Sequence, residues 1–110
     1  MTVPARAALD AAITEKQFLQ QVKDLARLRG WQTYHNLNAR GSDPGFPDLV
    51  LVRDGRLLFI ELKTEKGRIS PVQDIWLKRL REVGTVRAFL WRPHDWPEIE
   101  ARLTVNRREL

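Results

Sequence analysis

Residues 45–63 read GFPDLVLVRDGRLLFIELK, which is the most informative part of the chain. Its two apolar runs, residues 49–52 and 57–62, are separated by Asp54-Gly55, a dipeptide typical of two-residue hairpin turns. Because both runs are almost continuously apolar, they predict strands that are covered on both faces, as in the centre of an α/β sheet. The stretch therefore predicts a β-hairpin near the middle of a sheet.

Charged residues interrupt these apolar strands. Asp48 begins the first strand, and Glu61 and Lys63 lie two positions apart at the end of the second, hence on one face. Magnesium prefers oxygen ligands, usually one or two carboxylates with waters and substrate phosphate. We expect Asp48 and Glu61 to hold such an ion, with the backbone carbonyl of Leu62 within reach of it. A Glu-x-Lys or Pro-Asp pair alone is weak support, since each is common on solvated strands, so the interpretation depends on their conjunction across a hairpin.

This combination of groups favours hydrolysis of a phosphodiester. A metal ion would polarise the phosphate and lower the pKa of a bound water molecule, which makes hydroxide available near neutral pH. Lys63 would orient that water or offset the charge on the scissile phosphate. Such charge neutralisation is needed because nucleophile and substrate are otherwise poor reaction partners. The central hairpin therefore predicts a small metal-dependent nuclease.

A first helix is predicted before the hairpin. Thr14 and Gln17 have the spacing of a capping box, Ile13 and Phe18 stand at the positions of a hydrophobic staple, and Gly30 supplies a stop. The apolar residues at helical spacing are Phe18, Val22, Leu25 and Leu28.

A second helix is predicted to follow the hairpin. Ser70-Pro71-Val72-Gln73 combines a capping box with proline at the first helical position, and Gly84 ends the pattern. The residues expected to line its apolar face are Val72, Trp76, Leu80 and Val83, and we assign Trp76 to the core.

The remaining segments complete an α/β sandwich around a mixed sheet. Residues 31–37 and 85–91 predict strands, residues 38–46 a loop, and residues 1–12 a frayed start or a short helical extension. We expect one domain over residues 1–110, with its core at about 14–91, a closing helix at 95–103 and a polar, basic tail at 104–110.

Composition narrows the class of partner. The 110 residues include 19 Lys and Arg against 14 Asp and Glu, a formal net charge of +5, which favours a polyanion. The absence of cysteine excludes disulfides and cysteine-ligated zinc or iron–sulfur sites. No apolar run approaches the roughly 20 residues that span a bilayer, and the N-terminus lacks the apolar block of a signal peptide. We therefore expect a cytoplasmic protein with no membrane partner.

Gly45-Phe46-Pro47-Asp48, Glu61-Leu62-Lys63 and Ser70-Pro71-Val72-Gln73, in this order, resemble the virus-type replication-repair nuclease (VRR-NUC) family. This is a branch of the PD-(D/E)XK restriction-endonuclease-like superfamily, and the similarity runs from about residue 14 to 91. The resemblance implies an αβββαβ core with a mixed central sheet flanked by helices, Mg²⁺ or Mn²⁺ as cofactor, and DNA as substrate.

The family site includes an acidic residue at the start of the first helix and a glutamine in the second helix. Glu15 and Gln73 stand at these positions, so the resemblance implies that they complete the catalytic set, with Glu15 also near the metal. Each residue also has a structural explanation, because the helix dipole favours an acid in the first turn and a capping box wants glutamine. For Gln73, we expect the two roles to compete for the same side-chain atoms.

Free-standing members of the family resemble Holliday-junction resolvases that act as homodimers, and most are bacterial or phage-encoded. We therefore expect a homodimer that cuts branched DNA in a bacterial or phage-infected cell. The alternatives are a flap-type or RNA-directed nuclease, and a DNA-binding module of the same fold without activity. Arg40, Lys66 and Arg68 flank the hairpin and are expected to contact phosphates, unless they are ordinary solvated loop charges. His35 and His94 are isolated in sequence and are not expected to act as ligands.

Overall fold

The computed structural model describes residues 5–37 and 41–104. Its elements are, in order, α1 (Ala5–Ala12), α2 (Glu15–Leu28), β1 (Gln32–His35), β2 (Leu49–Arg53), β3 (Arg56–Leu62), α3 (Pro71–Arg81), β4 (Arg87–Trp91), a 3₁₀ turn (Pro93–Asp95) and α4 (Trp96–Leu103). The segment from α2 to β4 has the expected αβββαβ order, and α1 corresponds to the expected N-terminal extension. None of the described helices is long and apolar enough to cross a membrane.

The four strands form one mixed sheet in the order β1-β2-β3-β4. The β1–β2 and β2–β3 pairs are antiparallel, whereas β4 runs parallel to β3. The β2–β3 connection is the predicted two-residue turn, in which Asp54 and Gly55 have φ angles of 47° and 78°. Two positive φ angles in succession are the signature of a type I′ turn, whose twist matches that of the flanking strands. The prediction of a central hairpin is confirmed.

Helices cover the two faces of the sheet unequally. On the first face, which we call the core face, α2 and α4 bury a cluster of side chains that includes Phe18, Leu51, Ile60 and Leu103, each 0% exposed. The second face, which we call the site face, packs against α3, which contacts β3 and β4. On the site face Val52 remains 45% exposed, so the expectation that the hairpin strands are covered on both faces is wrong for β2.

The predicted apolar face of the first helix needs one correction. The capping box between Thr14 and Gln17 is present, and Phe18 and Val22 are buried as expected. Leu28, however, is 77% exposed, and Ala26 is buried instead. At 3.6 residues per turn, Leu28 lies about 120° around the helix from Val22, whereas Ala26 lies only about 40° away. The burial of α2 therefore follows the geometry of the helix and not the hydrophobicity of each residue.

The predicted apolar face of the second helix is rotated in the structure. Leu77 is the buried residue of α3, whereas Val72 and Val83 are 41% and 46% exposed and Trp76 is only half-buried. The assignment of Trp76 to the core is therefore wrong. Gln73 lies one helical turn before Leu77, so the rotation that buries Leu77 also turns Gln73 towards the sheet.

Candidate active site

Asp48 and Glu61 come together because of the hairpin register. Leu49 pairs with Ile60 across the antiparallel strands, which brings Asp48, immediately before β2, opposite Glu61 on the site face. Asp48 is half-buried, and its Oδ2 accepts a hydrogen bond of 2.8 Å from the backbone N–H of Leu62. Glu61 is 1% exposed. The backbone of one strand therefore orients the carboxylate of the other.

Glu15 brings a third carboxylate to the same point. It is the first residue of α2, and the capping box of Thr14 with Gln17 fixes where that helix begins. One carboxylate oxygen from each of Glu15, Asp48 and Glu61 lies within 4.8 Å of the others, in an arrangement that could hold a metal ion. We call these three residues the acidic triad. The three residues are 13 to 46 positions apart in the sequence, and they come together only in the folded chain.

Gln73 contacts the triad from α3. Its Nε2 donates a hydrogen bond of 3.2 Å to Glu61 Oε1, while its Oε1 accepts one of 2.9 Å from the N–H of Ser70. The expected competition between capping and the site is therefore wrong, because the two ends of one amide group serve the two roles at once. The cap also restricts the rotation of the side chain that reaches Glu61.

Lys63 lies on the same face as Glu61, as the alternation of the strand predicts. Its Nζ is 4.0 Å from Glu61 Oε1, and its side chain is 15% exposed. The backbone N–H of Lys63 donates to the carbonyl of Trp91, which extends the pairing of β3 and β4 by one residue. The ammonium group is therefore held beside the triad by the sheet itself.

Glu61 is the electrostatic centre of the site. Burial raises the pKa of Glu61 to about 9, the charge of Asp48 and a hydrogen bond with it add to the rise, and Lys63 opposes it. Among the described residues, Oε2 of Glu61 is buried without a hydrogen-bond partner. A buried carboxyl that shares its site with two other acids retains a proton until a cation replaces it. The donor set of three carboxylates, with one buried oxygen unused, thus fits a hard divalent cation.

Arg92 and His94 hold the loop after β3, a role that the sequence did not predict. Arg92 Nη1 donates to the carbonyls of Thr64 and Gly67, both at 2.6 Å, and His94 contacts the carboxylate of Glu65. His94 is therefore not isolated. These contacts join positions 25 to 29 residues apart, so no local pattern could have revealed them.

Two of the three residues expected to contact DNA lie among the described residues. Lys66 and Arg68 are exposed on the loop that Arg92 holds, three and five residues beyond Lys63. Arg40 lies outside the described residues. The carbonyl of Leu62, expected to approach the metal, stays a prediction, as does the catalytic role of each of the five residues gathered here.

Comparisons with known proteins agree with the geometry. A search of curated proteins found no match. The sequence model of the VRR-NUC domain matches residues 8–90, which include the whole acidic triad, Lys63 and Gln73. This match covers most of the chain, beginning within α1 and ending within β4. The chain therefore belongs to the VRR-NUC family, whose members are nucleases that act on DNA.

Proposed function

We propose that the protein is a metal-dependent endonuclease of structured DNA, similar to Holliday-junction resolvases, with Mg²⁺ or Mn²⁺ as its cofactor. The observation that carries this proposal is that Oε2 of Glu61, a member of the acidic triad, is buried without a hydrogen-bond partner among the described residues. An unused acceptor that is buried costs free energy, so its retention argues for a ligand. A divalent cation is the ligand that three carboxylates would select over an anion or a neutral molecule.

The side chains around the cation divide the work. Asp48, Glu61 and Glu15 would hold the ion, with the Leu62 carbonyl as a further ligand. When bound, the ion supplies charge neutralisation and Lewis acidity at the scissile phosphate. The Leu62 N–H fixes the orientation of Asp48, which limits the reorganisation needed when the substrate arrives.

Lys63 and Gln73 act on the protonation and position of groups next to the ion. The Lys63 ammonium, 4.0 Å from Glu61, would place positive charge where the phosphate becomes more negative during hydrolysis. Gln73 donates to Oε1 of Glu61 and thereby leaves Oε2 available. Because a glutamine amide cannot lose a proton at neutral pH, this contact would persist throughout the reaction.

Substrate contacts and assembly are part of the same proposal. Arg40, Lys66 and Arg68 would bind phosphates on either side of the cut without reading sequence. A four-way junction has two strands to cut symmetrically, and a C₂ dimer presents two related sites to it. We therefore propose a homodimer in the bacterial or phage-infected cytoplasm; light scattering that gives a monomer at micromolar concentration would contradict the junction-resolving version.

Cleavage of labelled substrates tests the proposal. A four-way junction, a flap, a plain duplex and an RNA of matched branched geometry are incubated with Mg²⁺, Mn²⁺ or EDTA. We expect metal-dependent cutting of the junction by the wild type, and loss of roughly 10²–10³-fold in Asp48→Ala and Lys63→Ala. Lys78→Ala, at an exposed lysine elsewhere on α3, serves as the matched control and keeps full activity.

Each alternative has its own outcome. Preference for the flap or for RNA would move the assignment to a flap-type or RNA-directed nuclease. Binding of the junction without cutting in any metal would identify a DNA-binding module that retains the fold.

A further inference from the structure

A second concave surface lies beside the acidic triad. It is a cavity of about 380 Å³ between β1, α3 and the segment before β2, within the size range of small-molecule sites. Three aromatic side chains line it, and we call it the aromatic pocket: Tyr34, Phe46 and Trp76. The remaining lining residues are polar: Asn36, Ser42 and Asp43.

Strand register places the aromatic pocket on the site face. Tyr34 pairs with Val50, which pairs in turn with Phe59, so Tyr34 shares the face of these residues. Two residues further along the chain, the N–H of Asn36 donates to the carbonyl of Asp48 at 2.8 Å. Tyr34 therefore stands two residues, or about 7 Å, along β1 from the row that contains Asp48 and Glu61.

The wall of the pocket is connected to the acidic triad along the chain and through hydrogen bonds. Phe46 is two residues before Asp48, and its carbonyl accepts a bond of 3.3 Å from Asn36 Nδ2. Its ring makes edge-to-face contacts with Trp76 and Phe59, with centroid separations of 5.1 and 5.9 Å. These contacts fix the rings of Phe46 and Trp76 next to the metal-binding carboxylates.

Tyr34 differs from the other two rings because it is 63% exposed. It lies on β1, which ends the sheet as the structure describes it, so one face of the ring is open to solvent. An exposed aromatic side chain beside two immobilised rings offers a stacking surface without any rearrangement of the core. Aromatic side chains stack on nucleobases irrespective of sequence, because every base has a π-face.

The polar lining selects a base and not a phosphate. Among the described residues of the pocket none is cationic, and the Asp43 carboxylate would repel a phosphate. Carboxylate and hydroxyl groups such as those of Asp43 and Ser42 accept hydrogen bonds from the N–H groups of bases, including the N3–H of thymine. The exposed cations Lys66 and Arg68 lie instead on the loop after β3.

We propose that the aromatic pocket receives an unpaired nucleobase of the DNA strand whose phosphate lies at the acidic triad. This inference rests on the proposed nuclease function and narrows its substrate to DNA with an unstacked nucleotide next to the cut. A base in intact duplex is stacked on both sides and cannot enter, whereas bases at branch points, flaps and mismatches are unstacked at low cost.

Binding of short single-stranded DNA in EDTA at low salt tests the inference. Two fluorescently labelled oligonucleotides of equal length are compared by anisotropy, one of thymidines and one with abasic sites at its centre. Both carry the same phosphates, so the ratio of their dissociation constants isolates the contribution of the bases. We expect the wild type to favour the thymidine strand by about ten-fold, the scale of one base–aromatic stack.

Three variants assign that preference to the pocket. Tyr34→Ala is expected to abolish most of it, and Tyr34→Phe to retain it, because the ring and not the hydroxyl makes the stack. Leu28→Ala truncates a side chain that is 77% exposed on α2, which covers the core face, and is expected to leave the preference unchanged. Thermal unfolding of each variant confirms that the fold is intact.

The outcomes separate this inference from the nuclease assignment. Equal affinity of the wild type for the two strands, no measurable binding of either, or full preference in Tyr34→Ala would each overturn the pocket. Since the assay contains EDTA and measures no cleavage, an inactive site would leave these results interpretable. Conversely, an active enzyme without base preference would retain the nuclease function and lose only the pocket.

Discussion

The core face and the site face are built from the same strands and differ in almost every physical property. On the core face, Leu51 and Ile60 are wholly buried under α2 and α4. On the site face, Glu61 bonds to Gln73 of α3 and lies beside Glu15 of α2, and Val50 is only half-buried. Neighbouring positions of one strand therefore serve opposite purposes.

The difference shows how a chain of this size accommodates a costly site. One apolar cluster on the core face supplies the burial that stabilises the sheet. The site face then tolerates three carboxylates that repel one another, because it contributes less to the core. Because side chains alternate between the two faces of a strand, the stabilising core and the acidic site are separated only by the thickness of the sheet.

The largest effect should come from replacing the buried acid. Glu61→Gln removes the negative charge that would hold the ion but keeps the shape of the side chain, so we expect cleavage to fall roughly 10³-fold. The free energy of unfolding in EDTA should be unchanged or higher, because the neutral amide resembles the protonated carboxyl. Cleavage assays and urea denaturation of the same preparations test both statements, and retained cleavage would show that Glu61 belongs to the scaffold.

The next effect should be confined to the core face. Leu51→Ala is expected to lower the free energy of unfolding by about 2–5 kcal/mol, since it leaves a cavity in a fully buried cluster. Val50→Ala, one position earlier on the site face, should cost only about 1 kcal/mol. Urea denaturation of the pair measures the contrast, and equal costs would mean that the site face is packed as tightly as the core face.

The smallest effect, taken per pH unit, is a dependence of stability on pH. Burial raises the pKa of Glu61 from 4.5 to about 9, so the metal-free folded state holds a proton that the unfolded chain releases. The resulting stabilisation is complete below pH 4.5 and is lost as the pH rises towards 9, by at most about 1.4 kcal/mol per pH unit. The difference in unfolding free energy between Glu61→Gln and the wild type in EDTA should therefore grow from pH 6 to pH 8. A constant difference would contradict the raised pKa.

Local features of this fold could be predicted from sequence, and tertiary ones could not. The Asp54-Gly55 turn and both capping boxes depend on residues at most three positions apart, so the pattern alone determines them. The inward face of α3 depends on which side the sheet lies, and there the apolar pattern was misleading. The role of Arg92 could not be predicted, because its partners are the distant carbonyls of the 64–67 loop, which have no sequence signature.

The site itself falls between these limits. The juxtaposition of Asp48 and Glu61 follows from strand alternation and a short turn. The approach of Glu15 and Gln73 was inferred only from resemblance, because it depends on how α2 and α3 dock. Sequence spacing does not distinguish the amide oxygen of Gln73 from its nitrogen. The double role of this amide, in a helix cap and with a carboxylate, could therefore be recognised only in the structure.

The type I′ turn also limits how this family member can change in length. With two residues in the turn, Asp48 lies opposite Glu61; one inserted residue that shifted the register would move every β3 side chain to the other face. Glu61 would then enter the apolar cluster and Ile60 would face solvent. Insertions in the longer loops on either side of the hairpin leave the β2–β3 register unchanged, so the two-residue turn is the connection of the hairpin whose length natural variation can alter least.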